Sequence, residues 1–238
     1  SECLVGSEMC ISDRGRFFAE KGIKTAAIYG AFIPNPMHVY RVAGVLSGLG
    51  LSYDGATEEG EVVGKIFTDQ SVDLSKISGD IQIVSYLQGY GDTTTDEINA
   101  AIQAKPEAFI SVGMATTFFT QQLNAAGIEF SDIDSFTQSN GEAITNGKLV
   151  YLAGKYSSSV GPAFALVLNA INGNVIRDEQ GNAVSLSQNY QVATDEATFD
   201  EFYKSDNGDN PIYNKETLDQ IIGESVTFDE INELVTLK

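Results

Sequence analysis

The sequence has little of what most enzyme and metal sites are built from. It contains one histidine, His38, and two cysteines, Cys3 and Cys10, both within the first ten residues. A site that needs two histidines is excluded, and so is a zinc cluster of cysteine and histidine beyond Cys10. No Gly-x-Ser-x-Gly, Walker A or Gly-x-Gly-x-x-Gly motif follows a predicted strand. We therefore expect no enzyme activity, no bound metal and no cofactor.

Basic residues are also scarce. The chain has 14 lysine and arginine residues against 33 aspartate and glutamate residues, which gives a formal net charge of −19. Such a chain repels a phosphate backbone, so nucleic acid is not expected as a partner. The acidic residues are spread without a long block, as on the solvated surface of a monomer. No apolar run approaches the roughly 20 residues that a membrane helix needs.

The first residues look foreign to the rest of the chain. Residues 3–14 read CLVGSEMCISDR, which resembles the translation of a transposon-type sequencing adapter. We expect residues 1–14 to be a non-native leader, with the true N-terminus and any signal segment missing. A short native disulfide between Cys3 and Cys10 is the alternative.

From Phe17 onward, short β-rich runs alternate with amphipathic helical stretches, a pattern typical of a parallel sheet wrapped by helices. The predicted strands are Thr25–Tyr29, Val62–Phe67, Ile81–Tyr86, Ala108–Val112, Ile128–Ile133 and Leu149–Ala153. The predicted helices begin near Met37, at a capping box of Thr94 and Glu97, at Met114, at Asn140 and at Val160.

The last third of the chain changes character after Gly173. The helix Val160–Ile171 precedes this point and is expected to bury Phe164, Val167, Leu168 and Ile171. Residues 175–192 resemble a β-hairpin turning at residues 179–182. An acidic helical tail follows from Asp195, and its last helix is predicted to open with a capping box of Thr227 and Glu230.

Ligands of open parallel sheets bind beyond the carboxyl ends of the strands. Five segments are predicted there: residues 31–41, 88–92, 112–114, 135–137 and 154–159. They supply hydroxyls, amides and aromatic rings that suit a polar solute, with Tyr90 and Thr137 among the binding candidates. His38 is expected at the surface or the cleft rim. Asp132 and Asp134 would share one face of a strand without a partner base, as a chance pair.

Six segments carry a resemblance to a known family: Arg16–Gly22, Lys24–Tyr29, Tyr40–Gly44, Ala104–Ile110, Leu123–Gly127 and Thr145–Leu149. Their order and spacing resemble the type I periplasmic binding proteins and the effector domains of lactose-repressor-type regulators. The resemblance implies two Rossmann-like parallel-sheet lobes joined by a hinge, with the first lobe incomplete. Residues 15–23 would end that lobe, 24–155 form the ligand-binding lobe, 156–194 return to the first lobe, and 195–238 form a helical tail.

The resemblance also implies site residues. Arg41 matches an arginine that points into the cleft and donates a forked hydrogen bond to sugar hydroxyls or a carboxylate. Gly113 and Ser135 stand where sugar binders carry acidic and amide side chains, and Lys155 stands where they often carry glutamine. With these acceptors lost and two cations kept, the cleft would tolerate a negatively charged solute.

The function implied is that of a monomeric solute-binding component of an ABC transporter. It would capture a small polar, sugar-like solute and deliver it to the permease subunits, as an exported periplasmic protein or a cell-surface lipoprotein. The main alternative is the effector domain of a transcription regulator, and a further one is an enzyme on a doubly wound sheet.

Overall fold

The computed structural model describes residues 5–33, 35–90, 95–186 and 188–236, with side chains described from residue 12 to residue 235. It is an α/β structure. In chain order its helices and strands are α1 (Val5–Glu20), β1 (Thr25–Tyr29), α2 (Pro36–Gly48), β2 (Ser52–Tyr53), α3 (Glu59–Asp69), β3 (Ile77–Ser78), β4 (Gln82–Leu87), α4 (Thr95–Gln103), β5 (Ala108–Ser111), α5 (Ala115–Ala126), β6 (Glu129–Asp134), α6 (Gln138–Thr145), β7 (Leu149–Gly154), α7 (Gly161–Ile171), β8 (Gln191–Ala193), α8 (Glu196–Asn207), α9 (Lys215–Asp219) and α10 (Phe228–Thr236).

Six of the strands form one sheet in the order β4-β1-β5-β6-β7-β8. The first five are parallel, and β8 runs antiparallel to β7 at the edge. The chain leaves β1 for β4 on one side and then crosses to β5 on the other. The strand order therefore reverses between β1 and β5, which is where open α/β sheets leave a crevice for a ligand.

Both faces of the sheet are buried, and β1 shows how one strand serves two cores. Ala26 and Ile28 join the core beneath α1, α2 and α3, whereas Ala27 and Tyr29 join the core beneath α4, α5, α6 and α8. Successive side chains of a strand point to opposite faces. A strand covered on both faces is apolar without alternation, which explains why this run is predicted correctly as a buried strand.

Helix α1 lies closely against α2 at two glycines. A methyl group on Gly48 would overlap the backbone oxygen of Ser12, and one on Gly15 would come within 2.5 Å of the Val45 oxygen. Arg14 is fully buried in the same region and donates from Nη1 to the Ser111 oxygen. Ser12 and Arg14 therefore pack into the fold, and the origin of residues 12–14 in an adapter stays a prediction.

Two predictions about the helices are wrong. Residues 62–67 lie in helix α3, not in a strand, because Val62, Val63 and Ile66 are the buried side of one helical face. Helix α7 forms as predicted, but its Phe164, Val167 and Ile171 side chains are exposed. The opposite side, which carries Ala165, packs against α9 and α10, and this small satellite core sets the orientation of the helix.

Of the remaining local predictions, some are confirmed and others are not. Thr227 and Glu230 form the predicted capping box, with the Thr227 amide donating to the glutamate at 2.8 Å. Gly127 ends α5 in the left-handed conformation, also as predicted. The hairpin reduces to a single bridge between Arg177 and Ala183. The capping box at Thr94 lies outside the described residues. Across the described ranges, no helix is long and apolar enough to span a bilayer.

Candidate functional site

The carboxyl edge of the sheet is organised around Arg41, which projects from α2 and is only 2% exposed. Its Nη2 donates to Asp134 Oδ1 at 2.5 Å and to the Tyr190 hydroxyl at 2.7 Å, and its Nη1 donates to Asp134 Oδ2 and the Val112 oxygen, each at 3.1 Å. The forked donation expected for a solute thus goes to the carboxylate of the chain itself. Arg41 joins α2 to the ends of β5 and β6 and to the segment before β8.

Asp134 reaches Arg41 because its backbone leaves the strand conformation, with φ at +91°. The side chains of Asp132 and Asp134 were expected to share a face, and this is wrong. The carboxylate of Asp132 binds the start of α5 on one side of the sheet, while that of Asp134 binds Arg41 of α2 on the other. Burial opposes ionisation of Asp134, but hydrogen bonds and charge from Arg41 prevail and lower its pKa.

Asp132 is a buried carboxylate with a structural role. It accepts the backbone amides of Ala115 at 2.8 Å and Thr116 at 3.0 Å and the side-chain amide of Asn140 at 3.1 Å. It therefore caps α5, whose own N-cap residue, Met114, has no side-chain oxygen. Burial raises the pKa of Asp132 to about 6 despite these hydrogen bonds.

The other predicted site residues differ in what they can offer a solute. Gly113 is buried, and a Cβ there would lie 3.0 Å from Ala31 Cβ and 3.1 Å from Tyr29 Cε1, so a larger residue would require these side chains to shift. Thr137 is occupied in a capping box with Asn140 at the start of α6. Ser135 is partly buried, and Lys155 is exposed with its Nζ 4.7 Å from the Tyr190 ring centroid. Tyr90 keeps an exposed ring at the edge.

Large apolar side chains stand exposed around this edge. Their exposed fractions are 47% for Phe32, 36% for Met37, 46% for Tyr90 and 45% for Met114. The Tyr90 ring is 6.3 Å from the His38 ring of α2 and 6.2 Å from the Phe118 ring of α5, so the end of the segment after β4 lies near both helices. Exposed apolar groups gathered at a sheet's carboxyl edge are typical of a site that another molecule covers.

His38, which is expected at the surface or the cleft rim, is buried and lies at the carboxyl edge. Its Nδ1 lies 3.1 Å from both the backbone nitrogen and the backbone oxygen of Phe32, because the loop after β1 folds over the first turn of α2. Burial lowers the pKa of His38, so the ring is neutral at neutral pH. It contributes an apolar face to the edge and no charge.

The sequence singles out Arg41 but not the partners that the fold gives it. Tyr190 lies far along the chain in a segment predicted as a hairpin, and only the folded chain brings its hydroxyl to the guanidinium. Asp134 was visible next to Ser135 and was discounted as part of a chance pair. No protein-family model matches the chain, and no curated protein matches its sequence.

Proposed function

We propose that this chain is the ligand-binding lobe of a type I solute-binding protein. A small polar, sugar-like solute binds at the carboxyl edge, between α2 and the loops after β4 and β5, and is passed to a membrane permease. The observation that supports this most directly is the coincidence of two features. The strand order reverses beside β1, and the exposed rings of Phe32 and Tyr90 lie at that same point.

A second observation supports the two-lobed arrangement. The exposed side chains Phe164, Val167 and Ile171 recur along one face of α7, and Val160 and Val175 extend the apolar surface. Such a face is covered in most folded proteins. In the proposed receptor it packs against the first lobe, to which this part of the chain returns.

Closure of two lobes on a solute shifts a population that already interconverts. The Arg41 network bears on this step because it spans α2, β6 and Tyr190 of the returning segment. It holds the two strand ends and the segment before β8 in a fixed relation. The edge is then pre-formed, and less ordering is needed when a solute binds.

The proposal is tested by a thermal-shift screen with neutral sugars, sugar phosphates, nucleosides and amino acids. A solute present at 100 times its Kd stabilises the native state by about 2.7 kcal/mol, which raises the Tm of a chain of this size by roughly 5–11 °C. The solute-induced rise in Tm should be clearly reduced in Tyr90→Ala and unchanged in Phe164→Ala, which removes a comparably exposed ring from α7. A folded chain that no solute stabilises would contradict the proposal.

A transport receptor and a regulator's effector domain bind solutes in the same way, so a second measurement separates them. The coding sequence upstream of residue 1 is read from the source DNA. A signal segment followed by a β-α-β lobe supports the receptor. A helix-turn-helix segment there would assign the chain to a regulator instead.

A further inference from the structure

We infer that the solute is an uncharged molecule with a flat ring face and adjacent hydroxyl groups, of the nucleoside type. This rests on the proposed function and names the chemistry of its solute. Three features of the edge carry the inference: the state of its cations, the rings it exposes, and the acceptor beside them.

The cations of the edge do not favour an anionic solute. Both terminal nitrogens of Arg41 already bind Asp134, and the side chain is 3% exposed. His38 is neutral, and Lys155 is left as the exposed cation among the described residues of this edge. Because the whole chain carries −19, its long-range field also repels anions. A phosphate would therefore meet one exposed lysine, whose Nζ lies over the Tyr190 ring, and a carboxylate.

The exposed rings suit a planar partner. Phe32 and Tyr90 are each almost half exposed, and Met37 in the first turn of α2 and Met114 directly before α5 are exposed at the same edge. Aromatic side chains stack on the faces of nucleobases whichever base is present, and thioether sulfur packs favourably against ring edges. A plain pentose offers no such planar surface, so it would leave these side chains only partly covered.

The acceptor is Asp134. Its side chain is 38% exposed although Arg41 donates to both of its oxygens and the Tyr190 hydroxyl donates to Oδ1 at 3.2 Å, which leaves Oδ2 with a single donor among the described residues. Burial raises the pKa of Tyr90, the charge of Arg41 opposes this rise, and the charge of Asp134 adds to it to a smaller extent. A carboxylate oxygen has spare lone pairs that accept from solute hydroxyls. The ring and the hydroxyls of a nucleoside match Tyr90 and Asp134 respectively.

The test is calorimetric titration of the folded chain with adenosine, ribose and adenosine 5′-monophosphate. We expect adenosine to bind at least about fivefold more tightly than ribose, since stacking one base contributes about 1–3 kcal/mol. The monophosphate should bind more weakly than adenosine. Tighter binding of the monophosphate, or equal binding of ribose and adenosine, would overturn the inference.

Two variants separate the contributions of the ring and the carboxylate. Because the Tyr90 ring is exposed, Tyr90→Ala should leave the chain folded. It should weaken the binding of adenosine about tenfold and leave the binding of ribose nearly unchanged. Asp134→Asn removes the negative charge and should raise the affinity for the monophosphate relative to adenosine; an unchanged ratio contradicts the role of Asp134. If a sugar binds at this edge and adenosine does not, the inference fails while the proposed function stands. If no solute binds, both fail.

Discussion

The ion pair of Arg41 and Asp134 should contribute measurably to stability, and Asp134→Asn tests this. The substitution keeps the shape of the side chain, and asparagine tolerates the positive φ of this position. It leaves a guanidinium that is 3% exposed without its counter-charge. Breaking a fully buried pair costs about 3–5 kcal/mol. Because the Asp134 side chain is 38% exposed, water compensates in part, and we expect a loss of about 2 kcal/mol.

The assay is urea and thermal unfolding at neutral pH. A loss of about 2 kcal/mol corresponds to a Tm decrease of roughly 4–8 °C for a chain of this length. The double variant with Arg41→Met should be more stable than the sum of the single changes predicts, because it no longer buries an unpaired charge. Strict additivity of the two free-energy changes would mean that the unpaired guanidinium is not the cause of the loss.

A matched control is Asp54→Asn. Asp54 also has a positive φ and also pairs with a cation, Lys65, at 3.1 Å. Both of these side chains are well exposed, so the loss should stay below about 0.5 kcal/mol. Equal losses at Asp54 and Asp134 would mean that the positive-φ backbone, and not the buried guanidinium, determines the result.

Three further predictions concern stability. Arg14→Met should raise the free energy of unfolding by about 1–2 kcal/mol, because Nε and Nη2 of Arg14 have no hydrogen-bond partner among the described side chains; a clear loss in the same unfolding assay contradicts this. Gly48→Ala should destabilise the fold by about 2 kcal/mol or more, because the added methyl group overlaps Ser12. Gly64→Ala, on the open face of α3, should instead stabilise it by about 0.5–1 kcal/mol. A neutral result at Gly48 would mean that α1 does not pack against α2 at this point. The stabilising effect of protonating Asp132 is complete below its unfolded pKa of about 4 and is lost as the pH rises through its folded pKa of about 6. Relative to Asp132→Asn, the unmodified chain should therefore lose about 2–3 kcal/mol over this interval, and parallel pH profiles of the two proteins would count against it.

The sequence predicted the sheet well because its strands are buried on both faces and are separated by helices with clear ends. The strands at Thr25, Ala108 and Leu149 form as predicted, and Gly127 ends its helix. The run from Val62 to Phe67 was predicted as a strand because β-branched residues are common in strands. The residues that it buries, Val62, Val63 and Ile66, have the spacing of one helical face and not of a strand.

The orientation of elements was harder to predict than their existence. Helix α7 is apolar around most of its circumference, so periodicity alone could not tell which side the small satellite core would cover. At the site, the positive φ of Asp134 turns its side chain away from Asp132, and a period of two residues cannot foresee such a reversal. Arg41 was found by resemblance, but Tyr190 and its hydrogen bond to Arg41 depend on a contact across 149 positions.

The most direct test of the proposed binding site is backbone-amide NMR of the labelled chain during titration with the most stabilising solute of the thermal-shift screen. We expect the largest chemical-shift changes at the carboxyl edge of the sheet, at Phe32, Tyr90 and Met114 and in the first turn of α2. Shifts confined to the polar groove between α5 and α6, lined by Thr120, Asn124 and other side chains, or the absence of any saturable shift, would contradict it.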